Sequence, residues 1–220
     1  MNFKLSPSDT SFLFDGCQRC FYLKVRHGIV QPSIPLPSIF SKIASLLKQY
    51  YDQKRTEQLH PALPPGTIIL GEKWVQSKVI SLPNHIDTCY IKGRFDVVVS
   101  FDDGTYGVID YKTANPDSEL FHLYGRQLQS YAYALENPAP GALALSPVTK
   151  LGLLYFHPTQ VSQDRTDWLS FNSEIRLIEI EKNDEQFLAF IDEILNLLKS
   201  SEPPAYNPGC NWCNYLSRAE

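Results

Sequence analysis

The chain has 220 residues, 43% of them hydrophobic and 20% charged, enough for a sizeable packed core and too apolar for extensive disorder. Its formal net charge of −4 argues against gripping a phosphate backbone by electrostatics alone. It does not exclude nucleic acid, because carboxylates that hold metal ions make a sequence look acidic while the metal's own charge goes uncounted. No apolar run is long enough to span a bilayer, and Met1-Asn-Phe-Lys-Leu-Ser-Pro lacks the features of a signal peptide, so a cytoplasmic protein without membrane contact is expected.

In chain order, Ser6-Pro7-Ser8-Asp9 offers oxygen caps for a helix that carries Cys17 and Cys20 and ends near Gly28. Gln31 to Pro37 holds three prolines and is expected to be a loop. From Ser38 to about Lys54, Phe40, Ile43, Leu47 and Tyr50 repeat at helical spacing. Pro61 to Gly66 breaks the chain. Ile68 to Ile80 reads as a strand, or as a strand and a short helix. Tyr90 to Phe101 alternates apolar residues, Asp102-Asp103-Gly104 turns, and Thr105 to Lys112 returns, predicting a β-hairpin. A helix is predicted from about Ser118 to Glu136, then strands over Lys150 to His157 and Glu174 to Glu181. Asn183 caps an amphipathic helix with Phe187, Phe190, Ile191, Ile194, Leu195 and Leu198 facing inward. Pro203-Pro204 stops it before Cys210 and Cys213. The order predicts an α/β fold with a central mixed sheet flanked by helices. It is read as one domain over residues 1–220, with a helical part at 1–60 and a cysteine-bearing tail at 203–220.

Three polar residues stand out in the hairpin. Asp96 lies opposite the apolar set of its strand. Asp110 and Lys112, two apart, point to one face of theirs. Phosphodiester hydrolysis uses these residue types: carboxylates hold a hard cation, the cation polarises phosphate and acidifies water, and a lysine steadies developing charge. Asp110 sits in the apolar run Gly107-Val108-Ile109-Asp110-Tyr111, where either Lys112 or a metal has to compensate it. On their own, Asp110 and Lys112 are explained more readily by a structural ion pair than by a metal site. On the following helix, Gln127 and Tyr131 share a face with Leu120 and Tyr124.

Gly93-Arg94-Phe95-Asp96, then Val108-Ile109-Asp110-Tyr111-Lys112-Thr113, then Gln127-Leu-Gln-Ser-Tyr131-Ala132 resemble, in order and spacing, the successive motifs of RecB-type PD-(D/E)XK nucleases. These include CRISPR-associated RecB-like exonucleases and the nuclease domains of recombination helicase-nucleases. The resemblance implies a restriction-endonuclease-like core that hydrolyses DNA with Mg²⁺ or Mn²⁺, in an exonuclease-like manner. It implies metal ligation by Asp96, Asp110 and the main-chain carbonyl of Tyr111. Lys112 would be the catalytic lysine, and Gln127 and Tyr131 would support the active site and DNA. One departure stands out: many relatives place a metal-binding histidine on an early helix, and Ser38 to Lys54 contains none. Glu72 is a possible extra ligand, though a solvated glutamate accounts for it more simply.

Cys17-Gln-Arg-Cys20 and Cys210-Asn-Trp-Cys213 can together hold Zn²⁺ or an iron–sulfur cluster, which would clamp the N- and C-terminal helices together. Cys17-Gln-Arg-Cys20-Phe-Tyr-Leu also resembles the N-terminal element of the four-cysteine site in several RecB-like nucleases. That favours [4Fe-4S] over Zn²⁺, although the family's usual split is one cysteine before the core and three after. Cys89 is expected to be packing. Lys48, Lys54 and Arg55 read as a solvated helix end more readily than as phosphate contacts. Arg126 is the better candidate than His122 for a DNA contact. Two other classes of function fit the same residues: a nucleic-acid-binding module that no longer cleaves, and an iron–sulfur redox sensor.

Overall fold

A computed structural model describes residues 1–32, 37–113 and 121–217. Its main sheet has five strands: β2 (Gly66–Gly71), β5 (Val97–Phe101), β6 (Tyr106–Lys112), β7 (Val148–Arg165) and β8 (Trp168–Ile180), side by side in the order β2-β5-β6-β7-β8. All neighbours are antiparallel except β6 and β7, which are parallel. The helix α5 (Phe121–Glu136) lies between those two strands in the chain, as a parallel crossover requires. This is the mixed sheet flanked by helices that the element order predicts.

Both faces of the sheet are covered. On one, Val98, Val108, Leu153 and Tyr155 pack with Leu128, Tyr131 and Leu135 of α5 and with Ile191 and Leu195 of α6 (Asp184–Lys199). On the other, Val97, Val99, Ile109, Tyr111, Leu154 and Phe156 pack with Tyr51, from the end of α3 (Ser38–Tyr51), and with Leu59, from the short α4 (Thr56–Leu59). Burial on both faces explains why β5 reads as an unbroken run of valines. In α6 the six apolar residues predicted to face inward are all buried, and the Asn183 side chain accepts from the Gln186 N–H as its cap.

The chain departs from the expected elements in four places. The strand expected over Tyr90 to Phe101 breaks at Phe95 and Asp96. Its first part, β4 (Thr88–Arg94), joins a separate three-stranded sheet between β1 (Asn2–Leu5) and β3 (Trp74–Gln76), and only β5 forms the hairpin with β6. The short strand β1 lies inside the part expected to be helical; it carries two inward residues, Phe3 and Leu5, too few for a periodic signal. The first helix is interrupted. A π-helical turn (Asp9–Leu13) and α1 (Phe14–Gly16) end at an extended Cys17, and α2 (Gln18–His27) restarts there and closes on Gly28 at φ +70. Finally, β7 and β8 run well past their predicted ends, and Val161, Trp168, Leu169 and Phe171 are exposed on that extension. Parts of the predicted proline loop (33–36), the residues 114–120 where the motif helix was expected to begin, Leu120 among them, and residues 218–220 lie outside the described residues.

Gly93 of β4 is a point of close approach. A Cβ there would come within 2.6 Å of Pro7 Cδ and 3.2 Å of Tyr131 Cε1. Gly93→Ala is therefore expected to destabilise the protein by about 1–3 kcal/mol through overpacking, read as a lowered midpoint in thermal unfolding.

Candidate active site

The hairpin brings the two aspartates together. The last β5–β6 pair at this end is Val97 with Ile109. Asp96 stands just before β5 and Asp110 one residue beyond Ile109, so the two carboxylates lie at the same end of the hairpin. The strand break leaves Asp96 outside the ladder, where its Oδ2 accepts the Tyr111 N–H at 3.2 Å. In an extended strand a residue's N–H and C=O point to the same edge, so the Tyr111 carbonyl also faces the side on which Asp96 stands.

Asp110 is 5% exposed and ion-paired to Lys112. Lys112 Nζ lies directly against Asp110 Oδ2, and beyond that ammonium this buried oxygen has no hydrogen-bond partner among the described residues. Burial raises the Asp110 carboxyl, Lys112 and Lys48 lower it and Asp96 raises it, and the balance stands at about 6. The Lys112 ammonium also stands 4.1 Å from the centre of the Tyr124 ring.

Gln127 and Tyr131 are brought to this end of the sheet but act on the backbone. The Tyr131 hydroxyl donates to the Arg94 carbonyl at 2.8 Å, and Gln127 Nε2 donates to that hydroxyl at 3.3 Å. Burial pushes the Tyr131 phenol up to about 12, so it remains a neutral donor. The pair thus fixes the chain two residues before Asp96. Gln127 Oε1 is buried with no hydrogen-bond partner among the described residues.

Two residues that the sequence presents as surface charges belong to the same cluster. Lys48 of α3 donates to Asp96 Oδ1 at 2.8 Å and to Glu72 Oε1 at 2.6 Å, with its side chain only 17% exposed. The available signal was its position three residues before the buried Tyr51, on the inward edge of the helix. Glu72 adopts φ +50, unusual for a residue with a side chain, and its N–H donates to the Asp96 carbonyl at 3.0 Å. Lys54 and Arg55 stay outside: Lys54 lies over the Tyr50 ring and Arg55 pairs with Asp102. Arg126 is not brought to the cluster; it pairs with Asp15 at 2.5 Å and lies over Phe190.

The oxygen set of Asp96, Asp110 and the Tyr111 edge has the hard-donor chemistry of a divalent-cation site, with Lys112 the cation now set against Asp110 Oδ2. The structure contains a second set of donors. The Sγ atoms of Cys17, Cys20, Cys210 and Cys213 all lie within 4.8 Å of one another, with 3.6 Å from Cys17 to Cys213, 3.7 Å from Cys20 to Cys210 and 3.8 Å from Cys20 to Cys213. Each pair is built alike. The first cysteine is the N-cap of a helix, Cys17 for α2 and Cys210 for α7 (Asn211–Leu216), and the second lies in its first turn. Two positive helix ends thus face the sulfurs. Burial pushes the Cys17 and Cys20 thiols up. At Cys210 burial works in the same direction, but hydrogen bonds from the Cys213 backbone first and then from the Cys20 and Cys17 thiols outweigh it and hold the thiol down. Cys89 is fully buried away from this group, where burial pushes its thiol up to about 12.

With this geometry in view, comparison with known proteins defines the class. The family model of the PD-(D/E)XK nuclease superfamily matches residues 47–218, and the chain belongs to that family. Its members are usually nucleases that use divalent metals. The match takes in the carboxylate cluster and the second cysteine pair but not Cys17 and Cys20. No curated protein matches the chain. Among solved structures, "Crystal structure of SSO0001" is similar over 95% of this chain and 80% of that one, at 16% identity and a TM-score of 0.46. Among the described residues, no helix is long and apolar enough to cross a membrane.

The raised Asp110 carboxyl gives a test in metal-free protein. Relative to an ordinary value of 3.8, about 6 corresponds to about 3 kcal/mol favouring the protonated form in the fold. That stability is present below pH 4 and is lost as pH rises through 6. Asp110→Asn, which mimics the protonated form, is expected to melt progressively higher than the unaltered protein as pH rises from 4 to 7. Excess Mg²⁺ or Mn²⁺ should reverse the order by stabilising only the aspartate. Parallel thermal melts across that range read both effects.

Proposed function

We propose that the protein is a RecB-like, divalent-metal-dependent deoxyribonuclease, acting as one nuclease domain over residues 1–220 in the cytoplasm, with an exonuclease-like mode of cleavage. The observation that carries this reading is the placing of Asp96 beside a buried Asp110 that is ion-paired to Lys112, in a chain of the PD-(D/E)XK superfamily. Asp96, Asp110 and the Tyr111 carbonyl hold Mg²⁺ or Mn²⁺. When bound, the cation polarises a phosphate oxygen and acidifies a water. Lys112 stands where it can orient that water and offset charge building on the phosphate. Tyr131 and Gln127 keep the Arg94 backbone, and with it Asp96, in place. The ion pair with Asp15 and the stacking on Phe190 occupy the Arg126 guanidinium, so Arg126 has no assigned DNA contact.

The four-cysteine site is proposed to hold a single Zn²⁺, in preference to the [4Fe-4S] cluster that the family resemblance favours. A tetrahedral ion with Zn–S bonds of about 2.3 Å sets its sulfurs about 3.8 Å apart; three of the sulfur pairs stand at 3.6–3.8 Å. A cubane binds each thiolate to a different iron, which spreads the sulfurs across the whole cluster. Zinc has no redox chemistry, so its role here is to join α2 to α7.

Purified protein is expected to degrade labelled DNA of defined strandedness and end structure when Mg²⁺ or Mn²⁺ is supplied. Lys112→Ala and Asp110→Ala should each lower the rate on the order of 100-fold or more. Intact DNA under every divalent metal would defeat the nuclease reading. Retained DNA affinity in such a preparation would favour a binding module, and preferential cleavage of RNA would move the substrate class.

Elemental analysis is expected to find one zinc and no iron per chain. Cys20→Ala or Cys213→Ala should abolish zinc binding and lower the melting temperature on the order of 10 °C. A brown preparation with several irons per chain would restore the cluster, and with it the redox sensor as a competing reading.

A further inference from the structure

The outer side of Asp96 is already occupied by a cation of the protein's own. Oδ2 of Asp96 is turned to β6, where it accepts from Tyr111, and Oδ1 belongs to Lys48. Lys48 is in turn shared with Glu72, whose second oxygen lies 3.6 Å from Arg94. The arrangement is fixed from several directions. Glu72 is anchored to Asp96 by a backbone hydrogen bond and held in a left-handed conformation that a glutamate rarely adopts unless its surroundings impose it. Asp96 is fixed by Tyr111, and the chain just before it by Tyr131. Around the cluster, the carboxylates of Asp96, Glu72 and Asp110 are matched by the cations of Lys48, Arg94 and Lys112. A divalent ion bound at Asp96 and Asp110 has to move Lys112 Nζ off only the single carboxylate it contacts, that of Asp110. A second ion on the far side of Asp96 would have to displace an ammonium already bonded to both available carboxylates, at a like-charge penalty.

We infer that the Lys48 ammonium is a built-in cation that takes the place of a second metal ion between Asp96 and Glu72, so that this site works with one divalent ion. The inference rests on the proposed nuclease site and adds its metal stoichiometry and a positioning role for Lys48. The residue does not enter the reaction itself; it neutralises and orients Asp96.

The test counts bound Mn²⁺ by equilibrium dialysis and by electron paramagnetic resonance on zinc-loaded protein. Thiolate sites do not compete well for this hard ion. The unaltered protein is expected to bind one Mn²⁺ and Asp110→Ala none. Lys48→Gln and Lys48→His should each bind two, because the carboxylates of Asp96 and Glu72 are released; having both variants guards against misfolding of either. Lys48→Arg, which keeps the charge, should stay at one. The double variant Lys48→Gln/Glu72→Gln should return to one. Two ions in the unaltered protein, or one in both Lys48→Gln and Lys48→His, would overturn the inference and leave the nuclease site standing. No ion in the unaltered protein would remove the nuclease site and the inference together.

Discussion

Asp110 places a carboxylate on a strand whose two faces are otherwise closed to water. An isolated buried charge of this kind costs far more than a fold can absorb, so its surroundings are organised around it. Lys112 follows two residues later on the same face, and Tyr124 lies under the lysine's ammonium. Asp96 approaches from the neighbouring strand only because the chain leaves the small sheet at Phe95 and starts the large one at Val97. Tyr131, reaching from α5 to the Arg94 carbonyl, fixes that change of sheet. Apart from Lys112, no described residue bonds Asp110 Oδ2. The single ammonium does not fully offset the burial, so the carboxyl stays raised and the site carries a stability cost of the kind functional sites commonly bear.

Much of this is legible in the sequence because it depends on short-range periodicity. The alternation around Asp110 and Lys112, the four-residue step from Gln127 to Tyr131, and the six inward residues of α6 are local patterns that the structure reproduces. The hairpin turn is equally local. The break at Phe95 and Asp96 is not, because an alternating run looks the same whether it pairs with one sheet or passes between two. Deciding that requires β1, whose Asn2 pairs with Thr88 across 86 residues and whose two inward side chains give no periodic signal.

The same distinction separates Lys112 from Lys48. Lys112 shares a strand with its partner, so spacing reveals it. Lys48 meets Asp96 across 48 residues and Glu72 across 24, and nothing in its own helix distinguishes it from a solvated lysine except proximity to Tyr51. Charges that matter through long-range pairing look like surface charges until the fold is known. Arg126 shows the converse: its position on the motif helix suggests DNA, and a partner 111 residues earlier, Asp15, claims it instead.

The cysteine pairs have a topological consequence. Cys17 and Cys213 are 196 residues apart in sequence and in contact in space, so a metal bound there turns nearly the whole polypeptide into a closed ring. A ring has fewer ways to be unfolded than a line of the same length, and the reduction grows with the logarithm of the enclosed segment. Strand β7, α5 and both aspartates all lie inside that ring. Any opening of the sheet then leaves its two sides still tied together, and a chain that loses its order locally keeps the same neighbours within reach while it recovers.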